Sequence, residues 1–201
     1  MASTRVRTGL AGTAGEYHVV AELSKRGWLA TITIKNAPGT DVLAQHVDTG
    51  RLVAIQTKTS TASDSFILGV KDETPTERDD AWYVLVRLRG LDQRPDFYVM
   101  PRNHVSAACF VSHRNWLVKP GRGGRAHQDN PMRQIDQSDI QSYRERWDWL
   151  LEPATHVQYE LPDWFGRDVA DVGLPEGHPD AARFSPAADG QAGEIRSQQG
   201  A

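Results

Sequence analysis

The segment Val53-Ala54-Ile55-Gln56-Thr57-Lys58 is the first place where residue types and spacing suggest chemistry. In an extended chain, alternation puts Gln56 and Lys58 on one face with Ala54 and leaves Val53, Ile55 and Thr57 on the other. The ordinary reading is the solvated face of a hairpin. The other is an amide and a cation aimed at one spot. Asp41 follows Pro38-Gly39-Thr40 and opens the preceding extended segment. It is either a turn-capping aspartate or a carboxylate that a hairpin carries to the neighbourhood of the Gln56–Lys58 face. Glu16 is in line with Val19, Val20 and Leu23 at helical spacing. A first-turn acid that complements the helix dipole, a contribution of about 0.3–1 kcal/mol, accounts for it. So does an acid placed on the core face for use.

The elements that must position these residues are legible. Residues 13–26 read as a helix stopped by Gly27, and Trp28 to Ile34 as a β-branched strand. A turn is expected at 36–39, then strands at 41–47 and 51–59 joined by Asp48-Thr49-Gly50. Phe66 to Val70, Trp82 to Leu88 and Phe97 to Met100 read as further strands, the second with the near-continuous apolar run of a central strand. Pro101 opens a short helix through about Ala108. Ser138-Asp-Ile-Gln141 has the form of a capping box, and a helix with Ile140, Tyr143, Trp147 and Leu150 on one stripe is expected after it. The order is that of a mixed α/β sheet with helices around it.

In this order, a helix Glu, a turn-strand Asp and Gln-x-Lys on the partner strand resemble the PD-(D/E)xK nuclease superfamily. The match is to its Gln-x-Lys branch, seen in Mrr-type restriction endonucleases and some homing endonucleases. The residues are Gly12-Thr-Ala-Gly15-Glu16, Gly39-Thr40-Asp41 and Ile55-Gln56-Thr57-Lys58; the fourteen residues between Asp41 and Gln56 fit one hairpin. The resemblance covers roughly residues 9–100. Thr40 stands where the family name has proline, and Gln56 where most members have an acid. The resemblance implies a restriction-endonuclease-like core and cleavage of DNA with Mg²⁺, or Mn²⁺, as cofactor. Asp41 would be the main metal ligand, joined by the Thr57 carbonyl, by Glu16 directly or through water, and by the neutral amide of Gln56. Lys58 would position the attacking water or offset charge on the phosphate. Each such site cuts one strand, so double-strand cleavage implies a homodimer or higher oligomer.

Composition sets the limits. The 201 residues carry a net charge of −3, so bulk charge makes no case for nucleic acid. Residues 1–152 hold 20 Lys/Arg against 18 Asp/Glu, a net +2, and residues 153–201 hold 3 against 8, a net −5. The single cysteine, Cys109, excludes an intrachain disulfide and a Cys-rich zinc site. Apolar runs are too short for a membrane span, and the basic N-terminus has no apolar stretch behind it; both fit a cytoplasmic protein. Arg114, Lys119, Arg122 and Arg125 form a glycine-rich cationic segment with no acid over twelve residues and Trp116 among them. It is a phosphate-contacting loop or a solvated surface loop in equal measure. His113, Asn115 and His127 lack the ββα context of an HNH nuclease. Cys109, among Ala and Phe, reads as core rather than as a nucleophile beside His104.

The expected organisation is a nuclease-like domain at 1–152, a packed extension at 153–165 and an acidic disordered tail at 166–201. The expected architecture is a mixed sheet of about five strands flanked by helices, with a C-terminal helix. The expected function is a metal-dependent endonuclease on DNA. The alternative is a module with a degenerate site that binds nucleic acid or a protein without turnover.

Overall fold

The computed structural model describes residues 8–34, 39–61 and 63–184. It shows the expected mixed sheet of five strands flanked by helices. Helix α1 (Thr8–Ser24) leads into β1 (Trp28–Ile32), β2 (Val42–His46) and β3 (Leu52–Ser60). Then come β4 (Ser65–Gly69), a 3₁₀ turn at Val70–Glu73, β5 (Ala81–Arg87) and β6 (Asp96–Pro101). The main sheet has the order β1-β2-β3-β5-β6, antiparallel except for the parallel pair β3–β5. A parallel pair needs a crossover, and β4 with its 3₁₀ turn supplies it. The hairpin between β2 and β3 turns at Gly50, whose φ of 70° is open to glycine. Residues 35–38, most of the turn expected at 36–39, lie outside the described residues.

The core lies on both faces of the sheet. Tyr83 to Val86 of β5 and Phe97 to Met100 of β6 are buried throughout, as a central pair demands. Val19 and Leu23 of α1 seal one face with Trp28, Val42, Val53 and Ile55. Helix α2 (Arg102–Val118) supplies Val105, Ala108 and Cys109 to the core. The Cys109 thiol is buried and burial pushes it up, the inert core cysteine expected.

Several elements differ from expectation. Helix α1 begins at Thr8 and α2 runs on to Val118, past Ala108, because tertiary packing on its buried residues extends it. An unexpected strand, β7 (Met132–Asp136), pairs antiparallel with β4 in a separate two-stranded sheet. No single helix follows Ser138. Two 3₁₀ segments, Gln137–Tyr143 and Trp147–Leu151, bury Ile140, Tyr143, Trp147 and Leu150 instead. Of the segment expected as an acidic tail from 166, residues through 184 are described, and they include helical turns. Helix α3 (Asp163–Val172) buries Phe165 and Val169 against Ala107 and Val111 of α2. A last short helix, α4 (Ala181–Phe184), places Phe184 beside Tyr159 and Phe165. Apolar spacing inside an acidic segment outweighs its composition here. Residues 185–201 lie outside the described residues.

Candidate active site

The site begins where β2 leaves β3. Val42 pairs with Ile55, the Asp41 N–H donates to the Ile55 carbonyl at 2.8 Å, and the Asp41 carbonyl accepts from the Thr33 N–H at 2.9 Å. Asp41 is therefore one position beyond the Val42–Ile55 pair, level with Gln56. Its carboxylate then replaces the ladder: Oδ2 accepts the Thr57 N–H at 2.7 Å. Beyond Ile55, β3 runs on to Ser60 paired only with β5. The chain has opened the sheet at Asp41, and Gln56, Thr57 and Lys58 stand at the opening.

Gln56 is 7% exposed and lines a cleft of about 340 Å³ with Thr40, Lys71, Asp72, Arg78 and Arg102. Lys58, two residues along on the same strand face, forms an ion pair with Asp72 at 3.2 Å. Asp72 is 1% exposed. The Tyr83 hydroxyl donates to its Oδ1 at 2.7 Å and the Gly69 N–H to its Oδ2 at 2.8 Å. Burial raises the Asp72 carboxyl, but the Tyr83 hydroxyl, the Gly69 N–H and the Lys58 ammonium outweigh it and hold the group below its ordinary value. Burial and the Asp72 charge push the Tyr83 phenol well up, so it stays a donor.

The cleft mouth is cationic. The Arg102 guanidinium lies over the Tyr83 ring at 5.8 Å, and Arg78 is braced by a two-point bond to Asp80 at 2.8 and 2.9 Å. Arg102 is also the first residue of α2, a helix start with no acid in its first turn. Helix dipole and guanidinium both favour an anion there.

Asp72, Lys71, Arg78 and Arg102 escape a reading of the sequence. Lys71-Asp72-Glu73 looks like any polar connection, and Arg102 had one clue, its place after Pro101 at a helix start.

Glu16 approaches from elsewhere. Gly15, its neighbour on α1, packs against Thr59, so that an added Cβ would overlap Thr59 Oγ1 and stand 3.2 Å from Thr59 Cβ. By alternation Thr59 shares its face with Thr57, Ile55 and Val53, the face opposite Gln56 and Lys58. The structure thus brings Asp41, Gln56, Thr57 and Lys58 together at the opening and sets Glu16 on the helix that covers the reverse face. The Thr57 and Thr59 hydroxyls on that face are buried and have no hydrogen-bond partner among the described residues.

Among the described residues no group of three or more His, Cys, Asp or Glu side chains is placed to hold a metal ion. The donor set at the opening is of another kind. One Asp41 oxygen is committed to Thr57, which leaves the second oxygen, the Gln56 amide and the Thr57 carbonyl. That set of hard oxygen donors, with a single carboxylate, suits an ion that keeps several waters.

The cationic loop is remote from this cleft. Helix α2 has 17 residues and so spans about 25 Å; Arg102 begins it and the loop follows its other end. Arg114 is exposed with its guanidinium over Phe110 at 5.0 Å, and Lys119 and Arg125 are exposed. Arg122 lies in a 3₁₀ turn, and its side chain is outside the described residues.

No family model matches the chain, and no curated protein matches it. Several solved structures are similar to it, two of them as follows. A Holliday junction resolvase from the archaeon Archaeoglobus fulgidus is 16% identical with a TM-score of 0.42, over 70% of this chain and 96% of its own. A bacterial homing endonuclease is 18% identical with a TM-score of 0.40, over 75% of this chain and 93% of its own. Among the described residues no helix is long and apolar enough to cross a membrane.

Proposed function

We propose that this chain is a metal-dependent endonuclease that hydrolyses DNA phosphodiester bonds, with a restriction-endonuclease-like core. The reading is carried by one observation: Asp41, Gln56, Thr57 and Lys58 meet where β2 leaves β3, beside a cleft rimmed by cations. That is the arrangement that the resemblance to the Gln-x-Lys branch of the PD-(D/E)xK superfamily implies.

Asp41, Gln56 and the Thr57 carbonyl would hold Mg²⁺ or Mn²⁺; Glu16, which the resemblance adds to this set, lies on the helix over the reverse face. The ion, when bound, would lower the pKa of a water and offset phosphate charge. The rest is the work of this chain's own groups. The Thr57 N–H fixes the Asp41 carboxylate in the plane of the sheet. Lys58 spends one of its three donors on Asp72 and keeps the others for the phosphate or the attacking water. Arg102 and Lys71 draw the phosphate into the cleft. Paired nicks in a duplex would take two copies of the chain.

A second reading rests on Gln56. With a neutral residue there, one negative ligand is missing, and the same cleft would bind nucleic acid or a protein without cutting. Plasmid nicking with Mg²⁺, Mn²⁺ or EDTA separates the two. Metal-dependent nicks support the nuclease, and salt-sensitive binding without nicks supports the module.

A further inference from the structure

A second cleft, of about 480 Å³, opens at the far end of α2 from the Gln56 site. Its walls include two indoles, Trp116 and Trp164, and three carboxylates, Asp136, Asp139 and Asp168, the last held by the Asn115 amide; Arg133, paired with Glu73, also lines it, and Lys119 lies at the same opening. The Trp116 indole is 36% exposed and held in a ladder of rings, with His113 at 5.4 Å and His127 at 4.0 Å. Asp129 pins His113 at 2.7 Å. The Trp164 indole N–H donates to Asp139 Oδ1 at 3.4 Å. Asp136 accepts from the Ser65 hydroxyl and the Gln134 amide through its Oδ1. Among the described residues neither Asp136 nor Asp139 forms an ion pair. Burial raises the Asp139 carboxyl, the mark of an acid short of compensating charge.

Trp116 already stacks on His113 and His127, so the Trp164 indole is the flat wall left to a ligand, and it suits a flat one. Carboxylates accept and do not donate, so the ligand's edge must carry N–H groups. Among nucleobases, guanine presents two adjacent donors, N1–H and the 2-amino group. Adenine and cytosine present an amino group beside an acceptor, and uracil and thymine a single N–H. The exposed Lys119 at the opening supplies the countercharge a phosphate needs. We propose that this cleft binds an unpaired guanine base of a nucleic-acid strand, stacked on Trp164, with its donor edge on Asp136 and Asp139 and its phosphate toward Lys119. The choice of nucleic acid rather than a protein's arginine rests on the proposed nuclease reading; the cleft's chemistry does not.

The test is a titration of the full-length protein with guanosine, adenosine, cytidine and uridine 5′-monophosphates and with argininamide, read by tryptophan fluorescence. Trp164→Phe serves as the control that assigns the signal. The proposal expects guanosine monophosphate to bind at least about tenfold tighter than the others, and Asp139→Asn to erase that preference. Should Asp139→Asn fail to fold, Asp136→Asn replaces it. Equal binding of all four nucleotides, no binding, or tighter binding of argininamide overturns the proposal. Asp41→Ala and Lys58→Ala are titrated in parallel. Guanine binding that survives in a protein that never cuts DNA would fault the nuclease reading alone. Cutting without guanine preference would fault the cleft alone.

Discussion

Lys58 and Asp72 form an ion pair of 3.2 Å on the cleft face of β3, and the acid comes from the crossover between β4 and β5 rather than from the sheet. Asp72 has three donors, the Tyr83 hydroxyl, the Gly69 N–H and the Lys58 ammonium, and no exposed surface to spare. It aims Lys58. Asp72→Asn should lower the cleavage rate by about tenfold while DNA affinity changes little, and Lys58→Ala should lower it by about 10²–10³-fold, the cost of one aimed donor in a site of this kind. The double substitution should be no worse than Lys58→Ala alone, because Asp72 acts through the lysine. Single-turnover cleavage rates for the three proteins check this; additive losses would show that Asp72 acts by another route.

Helix α1 sits close on β3 because Gly15 has no side chain. Gly15→Ala forces Thr59 to move and should cost about 1–3 kcal/mol, the usual range for overpacking. Nothing lies within 4 Å of an added Cβ at Gly12, so Gly12→Ala should gain up to about 1 kcal/mol from helix propensity. Urea denaturation of the pair reads both signs, and a loss at Gly12 equal to that at Gly15 would refute the close approach as the cause.

Acid should unfold the protein partly through Glu22. Arg94 chiefly, with Lys25 and Arg26, outweighs burial and holds its carboxyl at about 2 against an ordinary 4.5. A lowered carboxyl stabilises the fold fully above its unfolded value and loses that contribution as pH falls through the folded one. The stability gap between wild type and Glu22→Gln should therefore be full at pH 7 and close between pH 4.5 and about 2. Urea midpoints across that range test it, and a gap that does not vary with pH would contradict it.

His104 should act over a higher window. Burial holds its imidazole at about 3 against an ordinary 6.5, and its Nδ1 is 3.0 Å from the Tyr143 hydroxyl. The unfolded chain binds a proton there that the folded chain refuses, so stability is full above pH 6.5 and falls below it toward about pH 3. His104→Gln should flatten the pH dependence in that interval, as followed by thermal unfolding, even where it lowers stability at pH 7.

The segment after residue 162 is part of the packed structure. Phe165 is 2% exposed among Ala107, Val111 and Val169. Phe165→Ala should cost about 3–5 kcal/mol. A change below about 0.5 kcal/mol, the surface range, would restore the view of this region as a tail.

Much of the site was legible in the sequence because hairpin geometry is local. Asp48-Thr49-Gly50 sets the turn and alternation sets the faces, which bring Asp41 to the neighbourhood of Gln56 and Lys58; the register that sets it level with Gln56 comes from the strand pairing. Asp72 was illegible for the opposite reason: its burial comes from the crossover laid over β3 and β5, and no residue near it announces that. The polar Arg133 and Gln134 hide β7, since the buried Arg133 is satisfied by Glu73 and by the Asn130 and Met132 carbonyls, partners that the sequence does not announce. In α3 the apolar residues Phe165 and Val169 were visible, but the surrounding acids and the nearby Pro and Gly spoke louder than their spacing. The side of the sheet that Glu16 serves depends on how α1 lies on it, which helical periodicity alone leaves open.

The central claim is best tested by nicking of supercoiled plasmid with Mg²⁺, with Mn²⁺ and with EDTA, for wild type beside Asp41→Ala and Lys58→Ala. The account predicts nicks that require metal and vanish in both substituted proteins. No nicks with either metal, together with salt-sensitive DNA binding that survives both substitutions, would contradict it.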